Sequence, residues 1–199
     1  MKKRIILYGG SFDPPHIGHG IVARWVANQL EICDEVWMVP TPQNPNKTRK
    51  AVDLNTRVRM LLDMFSYNGA LDKIKVSMAA QEVQSTRTID ILRYLEKLYP
   101  NYEFKPLIGS DCLTEIHTWK DYDTLLQDYG VIIYPRGEDK LIELYTAAYP
   151  KINMISTPCP TINISSSMIR ELIKKHKPVH FLITTEVYRI ILSQNLYTD

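Results

Sequence analysis

The sequence has few cysteines, and their spacing fits no common cysteine-based site. Cys33, Cys112 and Cys159 are an odd number at wide spacing, and no two of them form a Cys-x-x-Cys pair. Neither a zinc ribbon nor a disulfide scaffold is therefore indicated. Reduced thiols in a cytoplasmic protein are the simplest interpretation.

Long apolar runs and a strong charge imbalance are missing as well. The first apolar run ends at Gly9, which is too short for the core of a signal peptide. No stretch approaches the roughly 20 apolar residues of a membrane span. The formal net charge of +2 is too small to indicate a nucleic-acid groove. We therefore expect a cytoplasmic protein that binds neither membrane nor nucleic acid.

Two common nucleotide-binding motifs are also absent. The chain contains no Gly-x-Gly-x-x-Gly dinucleotide fingerprint and no Gly-Lys-Ser/Thr of a P-loop. Hydride transfer and ordinary kinase chemistry therefore lack their usual marks in this sequence.

Apolar runs alternate with helical periodicity along most of the 199 residues. We predict strands at 4–8, 35–39, 73–78, 102–108, 130–134 and 151–155. We predict helices at 18–31, about 53–65, 88–98, 138–148, 166–175 and 185–194, with short helical pieces at 111–117 and 121–128. This alternation predicts an α/β fold, a Rossmann-like parallel sheet with helices on both faces. We expect a single domain, 1–199, with a small helical part from about 160.

Two stretches need comment within this pattern. Residues 79–87 are polar and are predicted to be a loop. Pro106 would remove one hydrogen-bond donor from the strand at 102–108 if that strand were central.

The stretch from Tyr8 to Gly20, YGGSFDPPHIGHG, joins the first strand to the first helix. Its glycines allow a ligand to approach the backbone closely. His16 and His19 stand at the helix start, where free N–H groups and the helix dipole favour anions. A metal is not indicated, because no third ligand is nearby and His-x-x-His lacks the i, i+4 spacing of helical zinc sites. The stretch therefore predicts a site for a nucleotide phosphate.

A second segment, ISSSMIR at 164–170, has the same chemistry. Its serines can cap a helix and offer hydroxyl groups to a phosphate. Arg170 lies one turn further on and can reach the same anion.

Taken together, GGSFDPPHIGH and ISSSMIR resemble the nucleotidyltransferase superfamily related to class I aminoacyl-tRNA synthetases. The resemblance is closest to bacterial nicotinate-nucleotide adenylyltransferases, whose motifs are GG(T/S)FDPPHxGH and ISST-x-IR. Ser167 stands where that family usually has threonine. Weaker likenesses follow in the family's order: the proline-rich loop ending in Lys47, Thr88 to Leu92, Ile108 to Asp111, Trp119-Lys120 and Tyr134 to Gly137.

The resemblance implies transfer of AMP from ATP to nicotinate mononucleotide, giving deamido-NAD and pyrophosphate in NAD biosynthesis. By the same likeness, His16, His19 and Arg170 would be catalytic and would bind the ATP phosphates. The remaining ATP-binding residues would be Gly9, Gly10, Ser11, Phe12, Ile108, Gly109, Asp111, Ser165 and Ser166. The pyridine nucleotide would contact Lys47, Thr88, Trp119 and Arg136. Mg²⁺ would bind through the ATP phosphates and keep most of its waters, without a protein site of its own.

Two departures from the family motifs leave the acceptor open. The loop reads Asn44-Pro45-Asn46-Lys47 where the family has PPHK or PPHR, and Thr86-Arg87-Thr88 stands in place of Ser-Tyr-Thr. An enzyme that prefers NMN is therefore an alternative, and the role of Arg87 is open.

More distant alternatives share only the histidine motif. They are phosphopantetheine adenylyltransferase, a cytidylyltransferase acting on an alcohol phosphate, and a non-catalytic nucleotide-sensing domain. A tRNA synthetase would need a KMSKS motif and an anticodon-binding extension, which these 199 residues do not contain. The sequence does not decide whether the chain forms a homo-oligomer.

Overall fold

The computed structural model describes residues 2–28, 33–43, 49–66, 73–136, 140–149, 151–154, 159 and 161–198. Lys47, which we predicted to contact the pyridine nucleotide, lies outside these ranges. In the described part of the chain, no helix is long and apolar enough to cross a membrane.

A parallel sheet forms the centre of the molecule. Within the described residues it has six strands in the order β3-β2-β1-β4-β5-β6, and every neighbouring pair is parallel. The strands are β1 (Lys3–Gly10), β2 (Glu35–Pro40), β3 (Ile74–Val76), β4 (Tyr102–Gly109), β5 (Ile132–Tyr134) and β6 (Asn153–Met154).

Helices connect these strands and follow the last one. In the described ranges they are α1 (Ile17–Asn28), α2 (Leu54–Ser66), α3 (Ala79–Glu82), α4 (Thr88–Leu98), α5 (Tyr122–Thr124), α6 (Lys140–Ala148), α7 (Ser166–Lys174) and α8 (Thr185–Ser193). Short 3₁₀ turns cover Ser110–Thr114 and Ile116–Thr118, and a π-helical turn covers Leu125–Tyr129. The predicted Rossmann-like α/β fold is confirmed.

Two apolar clusters pack on opposite faces of the sheet. Successive side chains of a strand point to opposite faces, so Ile6 of β1 joins one cluster and Ile5 joins the other. The first cluster also takes residues from α1, α2 and α8, and the second takes residues from α4 and α6. Helices therefore cover both faces, as the alternating sequence pattern predicted.

The predicted loop at 79–87 is partly wrong. Residues Ala79–Glu82 form the short helix α3, because Ala79 and Ala80 are buried against the second cluster. A single helical turn is too short to show a period in the sequence.

Pro106 does lie inside a central strand, and the pairing explains how. It faces Leu7 of β1, whereas β5 pairs with β4 only from Leu107 onward. The residue without an N–H therefore precedes the part of β4 that is paired on both sides.

The switch point of the sheet lies between β1 and β4. The chain leaves β1 toward β2 and leaves β4 toward β5, so the two connections run in opposite directions. In such sheets ligands bind at the carboxyl ends of the strands at this point. Gly9 and Gly10 are the last residues of β1 and Gly109 is the last residue of β4, so all three lie at this edge.

Candidate active site

A cleft of ≈ 1340 Å³ opens at the carboxyl edge of the sheet. It is lined by residues that follow β1, β2, β4 and β5 and by the first residues of α4 and α7. The predicted site residues on its wall are Gly9, Gly10, Ser11, Phe12, His16, His19, Thr88, Ile108, Gly109, Trp119, Arg136, Ser165, Ser166 and Arg170. Asp111 does not line this cleft directly, but it forms an ion pair with Arg136 on the wall.

The two histidines are stacked on each other. Their ring centroids are 3.6 Å apart with 24° between the planes. The backbone N–H of His16 donates to Nδ1 of His19 at 3.1 Å. Because Nδ1 accepts this bond, the proton of a neutral His19 belongs on Nε2, which is then a donor.

Both histidines are neutral in the unliganded protein near pH 7. Burial, with the positive charge of Arg136 added, lowers the pKa of His16 to about 4. Burial, the neighbouring His16 and Arg136, in that order, hold the pKa of His19 well below its usual range. The pair can therefore offer hydrogen bonds to an anion, while positive charge must come from elsewhere.

Aromatic side chains hold the His19 ring in place. Its centroid lies 4.9 Å from that of Phe12 and 6.0 Å from that of Tyr8, both in edge-on contact. The Tyr8 hydroxyl donates to the Tyr134 hydroxyl at 3.1 Å and so joins β1 to β5 beneath the cleft. A side chain at Gly10 would press on the Phe12 ring, since an added Cβ would lie 3.1 Å from it.

The segment 164–170 packs directly against the histidine loop. Ser165 caps α7, its hydroxyl accepting from the Met168 N–H at 3.2 Å. The Ser166 hydroxyl donates to the Pro14 carbonyl at 2.8 Å. Arg170 donates from Nη1 to the Asp13 carbonyl at 2.7 Å, across 157 residues of chain, and from Nη2 to the Ser167 hydroxyl at 2.9 Å. The structure thus brings the two motifs together.

Asp13 is buried in the same loop, and its carboxylate accepts from protein donors. The Tyr197 hydroxyl donates to Oδ1 at 2.7 Å, and the Val52 N–H approaches the same oxygen at 3.4 Å. Arg49 forms an ion pair with Oδ2. The carboxylate therefore links the histidine loop to the C-terminal residues and to the segment after β2.

Arg57, which is only 1% exposed, is a further residue of the site that neither sequence motif contains. Its Nε donates to the Val52 carbonyl at 2.8 Å, and its Nη1 donates to the Ser11 carbonyl at 2.5 Å and the Thr41 carbonyl at 2.8 Å. It thereby joins the loops that follow β1 and β2. A signal existed, because Arg57 continues the buried stripe of α2 formed by Met60, Leu61 and Met64.

Thr88 and Trp119 also line the cleft. Thr88 begins α4, and Trp119 follows a 3₁₀ turn and is partly buried against the second apolar cluster. Lys120 forms a 2.7 Å ion pair with Asp90, which ties the Trp119 segment to the first turn of α4. The structure therefore groups these two predicted residues.

Arg136 also lines the cleft and lies beside Asp111, which is predicted to bind ATP. Its Nη1 is 3.3 Å from Oδ2 of Asp111. Its backbone N–H donates to the Ser110 hydroxyl at 2.7 Å. Its charge lowers the pKa of both His16 and His19. A contact between Arg136 and the pyridine nucleotide stays a prediction.

Comparison with known proteins gives the family. Residues 7–172, which contain both motifs, match the family model described as cytidylyltransferase-like. A probable nicotinate-nucleotide adenylyltransferase from Flavobacterium johnsoniae is 33% identical over 98% of both chains. One from Halalkalibacterium halodurans is 35% identical over 98% of this chain and 91% of its own. This chain belongs to the nicotinate-nucleotide adenylyltransferase family.

Solved structures share this fold over nearly the whole chain. Plasmodium falciparum nicotinic acid mononucleotide adenylyltransferase, complexed with NaAD, superimposes with a TM-score of 0.83 at 27% identity, covering 98% of this chain and 97% of that one. The same enzyme complexed with APC gives 0.82 at 26% identity with the same coverage. A putative nicotinate-nucleotide adenylyltransferase from Vibrio parahaemolyticus shares the fold, with a TM-score of 0.70 at 19% identity over 99% of this chain and 96% of that one.

Proposed function

We propose that this protein transfers the adenylyl group of ATP to nicotinate mononucleotide, forming deamido-NAD and pyrophosphate in NAD biosynthesis. The observation that carries the proposal is the bond between Arg170 and the Asp13 carbonyl, which closes the two motifs around one end of the cleft. Thr88 and Trp119 lie on the same cleft and offer a place for a second, flat substrate. The names of the family's members support the same reaction.

The reaction needs positioning and charge rather than a strong base. A phosphate oxygen of the acceptor is already anionic near pH 7, and it forms a bond to the α-phosphorus as the bond to the β-phosphate oxygen breaks. Pyrophosphate leaves with the electron pair of that bond. Such a transfer is accelerated by donors already placed where negative charge grows.

Residues in and near the histidine loop supply the hydrogen-bond donors and the positive charge that this reaction needs. His19 donates from Nε2 to a phosphate oxygen, since its Nδ1 is already an acceptor. His16 supports the ring of His19 by stacking on it. Arg170 supplies positive charge next to the leaving pyrophosphate. Ser165 and Ser166 begin α7 at this point, and the positive end of the helix dipole favours the same anion.

The other residues proposed to bind ATP lie near the switch point, around the ends of β1 and β4. Gly9 and Gly10 end β1 beside the last residues of β4, so a nucleotide can lie against the backbone there. Ile108 and Gly109 would contact the adenine. Asp111 would hold the ribose, with its carboxylate placed by Arg136.

Mg²⁺ would enter with the ATP phosphates in this proposal. Among the described residues no group of three His, Cys, Asp or Glu side chains could hold a metal ion. The Asp13 carboxylate accepts from protein donors and Asp111 pairs with Arg136. Mg²⁺ commonly keeps several waters and takes phosphate oxygens as ligands, which fits this donor set. When bound it would neutralise charge on the phosphates.

The acceptor would lie between Trp119 and the start of α4. The aromatic face of Trp119 suits a flat pyridine ring. Arg87 is the N-cap residue of α4, is exposed, and lines the cleft without a side-chain capping bond to the helix. A cation and a helix start favour a carboxylate over a carboxamide, so we expect nicotinate mononucleotide to be preferred to NMN.

A steady-state assay of pyrophosphate release tests the reaction and its acceptor. ATP and Mg²⁺ are supplied with nicotinate mononucleotide, with NMN or with phosphopantetheine, and a reaction without acceptor gives the background. We expect the highest kcat/KM with nicotinate mononucleotide. A preference for NMN would overturn the acceptor assignment. Tight ATP binding without pyrophosphate release from any acceptor would favour a nucleotide sensor.

Two further expectations accompany this proposal. The three cysteines are free in the structure, which supports a cytoplasmic location. We treat residues 1–199 as one nucleotidyltransferase domain with a helical part from about 160.

A further inference from the structure

Three arginines surround the backbone and side chain of Asp13. Arg49 pairs with its carboxylate, Arg170 binds its carbonyl, and Arg57 binds the Ser11 carbonyl two residues earlier. Burial and then the positive charge of Arg170 lower the pKa of Arg49, and Arg57 acts in the same direction. Three positive charges therefore lie near one carboxylate, and their mutual repulsion favours binding of a further anion.

The three guanidinium groups differ in what they hold. Arg57 is buried and donates to three backbone carbonyls. Arg170 donates to a carbonyl and to the Ser167 hydroxyl. Arg49 instead pairs with a carboxylate, its side chain is 45% exposed, and it lies on the cleft wall. Arg49 is thus the arginine of this group whose guanidinium lies on the cleft wall and pairs with a carboxylate, a partner that a bound anion can replace.

The Asp13 carboxylate keeps other partners if Arg49 moves away. The Tyr197 hydroxyl donates to it at 2.7 Å, and the Val52 N–H approaches it at 3.4 Å. Asp13 itself is 4% exposed and remains held by these donors. Its local structure therefore does not depend on the Arg49 side chain alone.

The backbone of Arg49 is fixed independently of its side chain. The Gln43 side chain donates to the Arg49 carbonyl at 3.1 Å and accepts from the Ala51 N–H at 2.7 Å. The Arg49 guanidinium can consequently change rotamer while its Cα stays at the edge of the cleft.

We propose that Arg49 is a further phosphate-binding residue, held by Asp13 in the unliganded protein and transferred to the pyrophosphate portion of ATP when the nucleotide binds. Carboxylate and phosphate are the two anions that the guanidinium fork matches, so one can replace the other. Arg49 is close enough to Arg170 for the two charges to interact, and Arg170 and Ser11 are both proposed to bind ATP. We therefore assign Arg49 to the pyrophosphate portion of ATP and not to the phosphate of the acceptor. The inference rests on the proposed function only in taking ATP as the nucleotide.

Binding of inorganic pyrophosphate, measured by calorimetry without turnover, tests the role of Arg49. Arg49→Gln should weaken pyrophosphate binding about tenfold or more, because one charge-assisted hydrogen bond is lost. Arg49→Lys, which keeps the charge but loses the fork, should weaken it less. Arg59→Gln is the matched control: Arg59 is 71% exposed, pairs only with Asp63 at 3.7 Å among the described ion pairs, and should leave binding unchanged.

The same variants are titrated with nicotinate mononucleotide, and their melting temperatures are measured. Unchanged pyrophosphate affinity in Arg49→Gln, or wild-type protein that binds no pyrophosphate, would overturn the inference. A tenfold loss for nicotinate mononucleotide alone would assign Arg49 to the acceptor and overturn it as well. Weaker binding that follows a drop in melting temperature and is not rescued by Arg49→Lys would show a structural role instead.

The binding measurements distinguish a failure of this inference from a failure of the proposed reaction. Equal pyrophosphate affinity in wild type and Arg49→Gln defeats the inference and leaves the proposed reaction intact. If Arg49→Gln loses pyrophosphate affinity and the wild-type protein turns over no acceptor, the phosphate-binding role of Arg49 is supported and the proposed reaction is wrong.

Discussion

Arg57→Met should disturb the position of the histidine loop without removing any side chain that lines the cleft. Methionine keeps an unbranched, flexible chain in the buried stripe of α2 but removes every donor that Arg57 offers. The carbonyls of Ser11, Thr41 and Val52 then lose their shared partner. Ser11 lines the cleft, so the loss reaches the site although Arg57 does not.

The expected loss of stability is about 2–4 kcal/mol of the free energy of unfolding. Hydrogen bonds from a charged donor contribute roughly 1.5–3 kcal/mol each, and three are lost. Two effects reduce the total. The buried guanidinium no longer has to be desolvated, and the three carbonyl-bearing residues are only partly buried, so water can reach some of the freed oxygens.

Urea unfolding and pyrophosphate release together measure the effect. We expect a lower urea midpoint at unchanged m-value. We also expect kcat/KM of the folded protein to fall, because the loops after β1 and β2 lose the arginine that binds them both. Arg59→Met, two residues along the same helix but 71% exposed, is the control and should change stability by no more than about 0.5 kcal/mol. A loss below about 1 kcal/mol with normal kcat/KM would refute the role given to Arg57.

Two further predictions concern the histidines. His19→Ala should lower kcat about 10²-fold or more by removing a donor already placed on the phosphate, and a folded variant with near wild-type turnover would exclude that role. His16 has a pKa of about 4 in the folded chain against an ordinary value of 6.5 in the unfolded chain, so the unfolded chain binds the proton first and stability should fall as pH drops from 6.5 to 4. The contribution is about 3 kcal/mol. His16→Gln should show a flatter dependence in urea unfolding over this range, and equal slopes for the two proteins would contradict it.

The sequence was sufficient for the fold because its signals are local. The apolar runs of β1, β2 and β5 and the periodic positions of α4 depend on neighbours along the chain, so their patterns can be read directly. The histidine loop and the segment at 164–170 carry unusual residue types at fixed spacing. Their positions at a strand end and a helix start then follow from the alternating pattern.

What the sequence could not show are contacts made between distant segments. The stripe of α2 indicates that Arg57 is buried, but the carbonyls that it binds are identified only when the loops after β1 and β2 fold over it. The bond from Tyr197 to Asp13 spans 184 residues and has no local pattern at either end. The family resemblance groups Arg136 with Trp119, whereas its side chain pairs with Asp111, and only the packing of β5 against β4 brings those two together.

The electrostatics of the site change how its residue types should be understood. Two histidines beside a phosphate suggest two positive charges, but burial makes both neutral before a ligand arrives. The permanent positive charge lies instead on arginines of three separate segments, which meet around Asp13. Because each of those arginines also holds a carbonyl or a carboxylate of the protein, the same contacts that assemble the loop orient the charge. Binding of the polyphosphate should therefore depend on the arginines around Asp13 as much as on the histidines.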